Sequence, residues 1–353
     1  MTEELGVIKK RAEIRHQLAT GEYKTLIDVL LDRIGRSIQK LTRGPALPSF
    51  WFSALTFVVV LLLTSVLFSV LLGEFKPARR EFIPIEILLG GILLAIWIGL
   101  KIYFDSFFAN VDDHFLDGIE TEADLTDFQN WLSAVGNLKT PLIIGCIYGV
   151  IQGLNRTIFH SGRLGDFIGI GPMIFMILLH FFSAGIGIYY FFLFVALPVR
   201  LGKYRFKLYA ADPSSSEIID HLSDVLSNFV YVIAVITALG SFLSIITEQW
   251  YWIGELIVLW VPLIFLFTLN QYNLAKIITR GKWKTLNEIQ VQIEALQTQG
   301  AILSEETLGH IDKLMDYHDR VKTTRNTALD FRAGLSFLNS LLIPLIAFVL
   351  GNL

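Results

Sequence analysis

Charge and cysteine are what this sequence has least of. Charged residues make up 17% of its 353 positions and hydrophobic residues 53%, whereas a soluble domain carries about 25% charged. The single cysteine, Cys146, excludes an intramolecular disulfide and a thiolate metal site. No glycine-rich loop ending in Gly-Lys-Ser/Thr is present, which argues against energy coupling by a nucleotide-binding fold. The nucleophile-elbow and two-histidine metalloprotease signatures are missing too, so no enzyme is expected. No apolar run has a central lysine for a Schiff base. No carbonyl filter of the potassium-channel type and no inverted repeat of the ordinary secondary-transporter kind stands out. The net charge of −3 is small, and the basic residues do not gather in one patch, so no nucleic acid partner is expected. These patterns imply no cofactor and no metal. The polar start of the chain gives no sign of a cleavable signal peptide.

What the chain has in quantity is long apolar runs. They fall at about 50–73, 84–104, 140–158, 168–198, 223–246, 251–270 and 334–352, each near the ~20 residues that cross a hydrocarbon layer as a helix. The basic residues between them set an orientation. With the N-terminus inside and all seven runs spanning, the inside segments carry 9, 2, 4 and 9 of the 29 Lys and Arg, 24 in all, and the outside segments 5. Omitting the weakest run, 140–158, gives 13 inside against 16 outside. Positive-inside bias therefore favours seven spans with the C-terminus outside.

The expected fold is thus all-α, a polytopic integral protein of the cell membrane with about seven transmembrane helices and a cytoplasmic helical module. Its parts would be an amphipathic segment 1–49, a six-span region 50–270 with an acidic cytoplasmic loop 105–139, a cytoplasmic hairpin 271–333, and a seventh span 334–353. This layout is similar to that of insect chemoreceptor channels in topology alone; no residue motif accompanies the likeness, and it assigns no site.

The polar segments have readable patterns. Ile27, Leu30, Leu31, Ile34, Ile38 and Leu41 recur at helical spacing, opposite Asp28, Asp32, Arg33, Arg36 and Lys40. Gly44-Pro45 and Pro48 would end that helix. The stretch from Asp105 to Asp127 holds Asp112, Asp113, Asp117, Glu120, Glu122 and Asp124, with His114 among them. So many carboxylates suit a hard divalent cation, but the spacing is not that of an EF-hand, and a solvated acidic helix face is the stronger expectation. Thr126 and Gln129 read as a capping box ahead of an apolar face of Leu125, Phe128, Trp131, Leu132 and Val135. In the hairpin, Ile289, Ile293 and Leu296 run to a turn near Thr298–Gly300. Ser304 would cap the return helix, whose stripe is Leu308, Ile311, Leu314, Met315 and Val321. His310, Asp312, Asp316, His318 and Asp319 read as a solvated, ion-paired face rather than a metal site.

Ionisable groups are scarce in the spans, which argues against a proton relay. His180 lies near mid-run, with Glu86, Glu255 and Arg156 near run ends. A buried histidine bonded to a nearby hydroxyl or carbonyl is the plain expectation for His180, and a gate the sharper one. Gly145 and Gly149 make a close-packing surface with Gln152 on the same face. The run 168–198 is too long for one upright crossing and should be tilted or broken near its glycines. The last run aligns Ser336, Ser340, Pro344, Ala347 and Gly351, with Asn339 beside them. Pore or gate candidates are therefore Ser336, Asn339, Ser340, His180 and Gln152. The expected function is a homo-oligomeric channel or pore for ions or small solutes. The alternatives are a non-conducting sensor or scaffold that binds a cytoplasmic protein partner, and a small-solute carrier. The lipid bilayer is the surrounding partner in each.

Overall fold

The computed structural model describes residues 2–42, 50–73, 77–159, 170–246, 252–299 and 305–327. The described residues are helical, with no strand; one isolated antiparallel bridge joins Ile119 to Phe206. In chain order the helices are α1 (Thr2–Thr20), α2 (Leu26–Thr42), α3 (Phe50–Leu71), α4 (Pro77–Asn110), α5 (Glu122–Val135), α6 (Lys139–Phe159), α7 (Ile170–His180), α8 (Ile186–Leu201), α9 (Glu217–Ile246), α10 (Trp252–Gln299) and α11 (Glu305–Thr323). Two five-residue π-turns interrupt this order. Val111–Phe115 follows α4, and Phe181–Gly185 separates α7 from α8.

Five of these helical stretches are long and apolar enough to cross a membrane: Phe50–Leu71, Ile83–Gly118, Ile170–Leu201, Glu217–Ala238 and Trp260–Thr298. A sixth is the pair Glu122–Val135 and Lys139–Ile151, if its 45° bend is counted within one span. The run 334–352 lies outside the described residues. α10 has 48 residues, about 72 Å at 1.5 Å per residue, more than twice the ~30 Å of a hydrocarbon layer. It therefore carries the chain without a break from an apolar stretch into the polar one.

The chain forms two compact units. One comprises His16–Asp105 and Gln129–Phe194. In it, α2 begins with a reciprocal cap: Asp28 N–H donates to Thr25 Oγ1 at 3.2 Å, and Thr25 N–H returns to the Asp28 carboxylate at 3.3 Å. The Leu26 amide donates to Tyr190 Oη at 2.8 Å. Ile27 and Leu31 are buried, as their spacing predicts. α6 approaches α7 through Gly145 and Gly149. A Cβ at Gly149 would fall 2.8 Å from the Ile177 carbonyl oxygen, so only hydrogen fits.

The other unit comprises Met1–Arg15, Ser106–Phe128 and Val195–Leu353. α9 packs along α10, and α10 pairs with α11 through Leu286, Ile289, Ile293, Ile311 and Val321, flanked by Leu296 and Leu314. The hairpin stripe is thus as the spacing predicts, except that Leu308 and Met315 are about half exposed. They sit to the side of the seam that Ile311 and Val321 define, so their substitution removes little buried area. Ser304 and Gly300 lie outside the described residues. Arg280 donates to the carbonyls of Gly202 and Lys203, each at 3.0 Å. A guanidinium there satisfies orphan carbonyls just past the C-terminus of α8.

Through the acidic stretch, helical structure runs on from α4 to Gly118 and resumes at Glu122; one sequence expectation there, the capping residue of the second helix, is corrected. That residue is Thr121, whose Oγ1 accepts the Asp124 amide at 3.2 Å. Thr126 instead sits inside the helix, its hydroxyl donating to the Glu122 carbonyl. Polar threonines at a helix start compete for one role, and the one with free amides ahead of it caps. The face Leu125, Phe128, Trp131, Leu132 and Val135 is wholly buried, as expected. In the run 168–198 the described residues from Ile170 onward are helical, interrupted by the π-turn Phe181–Gly185, which ends on one of the run's glycines.

Candidate functional site

Among the pore candidates, His180 is the one whose side chain is described. It is buried at the end of α7, and its Nδ1–H donates to the Met176 carbonyl at 2.7 Å. Ser336, Asn339 and Ser340 lie outside the described residues, as does the side chain of Gln152. Other polar groups on the membrane-length helices follow the pattern of His180. Thr64, Ser69, Ser183 and Thr268 each donate to the carbonyl four residues back, at 2.7–2.9 Å. Asn270 reaches across from α10 to the Leu226 carbonyl of α9 at 3.1 Å. Glu86, expected near a run end, is buried on α4, and Ser65 of α3 donates to its carboxyl at 2.6 Å.

The second π-turn is closed by neighbours of its own unit. An inserted residue makes the Ile186 amide reach back to Phe181, and one carbonyl of the turn is passed over when the ladder resumes. The Phe182 carbonyl instead accepts the Trp97 indole N–H at 3.0 Å. Phe57, Trp97 and Phe182 surround it with ring centroids 4.5–5.7 Å apart.

The first π-turn has the same ladder slip, since the Leu116 amide reaches back to Val111. Here the Asp112 carbonyl accepts the Arg15 guanidinium at 3.1 Å. Arg15 also pairs with the Asp117 carboxylate at 2.9 Å, and Arg11 donates to the Ile119 carbonyl at 2.6 Å. Further along, Arg200 meets Asp127 at 3.1 Å, Lys284 meets Glu120 at 3.5 Å, and the Arg205 amide donates to Asp124 at 2.9 Å. Tyr204 donates to Asp127 at 2.6 Å. Burial, then that bond, pushes its phenol far above the ordinary tyrosine value, so it stays a neutral donor. The acidic stretch is a partly solvated, ion-paired face: the carboxylates of Asp112, Asp117, Glu120, Asp124 and Asp127 are each held by a basic residue or an amide of another segment.

One cluster on this turn has metal-ligand chemistry. His114 of the turn stacks on His221 of α9, with ring centroids 3.9 Å apart and planes 5° from parallel. Glu217 stands one helical turn before His221, 3.6 Å from its Nε2. Only the Glu217/His221 spacing was legible in the sequence, as an i, i+4 pair; nothing local connects either to His114. Among the described residues, His310 and His318 of the hairpin join no such group. No protein-family model, no curated protein and no solved structure matches the chain.

Proposed function

We propose that this chain is a subunit of a homo-oligomeric channel or pore for ions or small solutes. It would span the cell membrane seven times with its N-terminus inside, and its last apolar run would line the path. The observation that carries this reading is the use of polar side chains on the described spans. His180, Ser69, Ser183, Thr64 and Thr268 bond to their own helices, and Asn270 and Glu86 bond to a neighbouring helix. The donor groups so used have partners inside the protein and need no water, although the buried Asn270 Oδ1 finds no partner among the described residues. A wet path then falls to the run 334–352, with Ser336, Asn339 and Ser340 at one end. There hydroxyl and amide groups would replace part of an ion's hydration, and Pro344 would free the Ser340 carbonyl for the same purpose.

Asn339→Leu, measured for expression, oligomer size and flux in reconstituted liposomes, tests this. The expected result is intact assembly with flux reduced at least tenfold; intact assembly with normal flux overturns it. A tag after Leu353 should be reached by impermeant reagent from outside the cell. A non-conducting sensor or scaffold is the second reading, supported by the ion-paired helices around the first π-turn, and it forecasts no flux from the wild-type chain in the same liposomes.

A further inference from the structure

We propose that His114, Glu217 and His221 form a binding site for a transition-metal dication of the zinc class. Three observations on separate segments converge. Glu217 and His221 are spaced i, i+4 on the first turns of α9, which puts them on one face. His114 is delivered to that face by the π-turn, whose flanking Val111 and Phe115 are buried and whose Asp112 carbonyl is held by Arg15. The coordinating atoms of the three side chains all lie within 4.8 Å of one another.

The donor set selects the ion. Two imidazole nitrogens and one carboxylate oxygen suit Zn²⁺, Co²⁺, Ni²⁺ or Cu²⁺, whereas Ca²⁺ and Mg²⁺ require oxygen shells. Zinc bonds of about 2.0–2.2 Å in a tetrahedron place ligand atoms about 3.3–3.6 Å apart. The Glu217–His221 pair already stands at 3.6 Å. The wider separations close by side-chain rotation, which is open to His114 and Glu217 because both are exposed. Stacked rings point their in-plane lone pairs side by side, so ligation tilts them until the lone pairs meet at the ion. Three protein ligands leave a fourth position for water or an incoming ligand. Bound metal would tie the π-turn to the start of α9. The site stands independently of conduction, because binding is read without flux.

The test uses the full chain in detergent, stripped with a chelator and titrated with Co²⁺ as a spectroscopic probe, followed by competition with Zn²⁺. The expected result is one saturable site per chain with visible ligand-field absorption, displaced by Zn²⁺. His114→Gln should weaken binding at least tenfold, and so should Glu217→Gln, a change on an exposed side chain that leaves folding undisturbed. The double variant His310→Gln/His318→Gln, in the hairpin, should bind as wild type. Absence of saturable binding overturns the proposal. So does unchanged binding in Glu217→Gln, or loss of binding only in the hairpin variant.

Discussion

In the turn Phe181–Gly185, the carbonyl that the helical ladder passes over takes an indole N–H from Trp97; in the turn Val111–Phe115, the corresponding carbonyl, again of the second residue, takes the guanidinium of Arg15. The two turns solve one backbone problem with donors of opposite character. The first donor is neutral and packed among Phe57 and Phe182, with Gly145 and Gly149 pressed against Phe181. The second is charged and half exposed, and it shares its proton donors with Asp112 and Asp117. Both bonds are part-buried, but the Trp97 side chain is buried whereas the Arg15 side chain is 40% exposed, and water replaces a lost bond more readily beside the exposed donor. The turn at Phe181 should therefore be rigid and intolerant of change. The turn at Val111 should be adjustable, which suits a segment that offers His114 to a ligand.

The contrast breaks most visibly at Gly149. Leucine there meets the Ile177 carbonyl and the Phe181 backbone, where a Cβ already falls within 2.8–3.0 Å, and should cost about 3 kcal/mol or stop folding. Thermal unfolding in detergent reads this directly, and a midpoint equal to wild type would mean that α6 and α7 do not meet closely. Trp97→Phe keeps most of the ring volume but strands the Phe182 carbonyl. A loss of about 2 kcal/mol is expected, with faster amide exchange confined to the residues around 181–187. Arg15→Gln makes the matching change at the other turn. Because its ion pairs are exposed to solvent, the expected loss is only ~0.5 kcal/mol; a loss as large as that from Trp97→Phe would abolish the distinction between the two turns. The smallest effect should come from salt. Raising ionic strength to 0.5 M, which shortens the screening length to roughly 4 Å, should quicken exchange at residues 112–117 and leave residues 181–187 unchanged.

The same contrast marks how far local pattern reaches. The buried face Leu125–Val135, the amphipathic α2 and the seam of Ile289, Ile293 and Ile311 were legible, because helical periodicity is written in nearest neighbours along the chain. Thr126 misled because capping depends on which threonine stands first before free amides, and Thr121 does. Neither π-turn was legible, since an inserted residue costs little in pattern and is kept only when a distant donor takes the spare carbonyl. His180 behaved as its burial suggested, bonding to its own helix. The grouping of His114 with Glu217 and His221 left half a signal, the i, i+4 pair, and nothing that pointed to its third member.

The sequence by itself determined the class of molecule: apolar run length, low charge and helical spacing specify a helical chain with several membrane-length helices, because each depends on a contiguous stretch meeting hydrocarbon or water. Tertiary structure decided which donor meets which acceptor. Arg15 with Asp112, Trp97 with Phe182 and His114 with His221 join residues far apart in the chain. Such pairings are set by how helices pack, where a displacement of an ångström makes or loses a hydrogen bond.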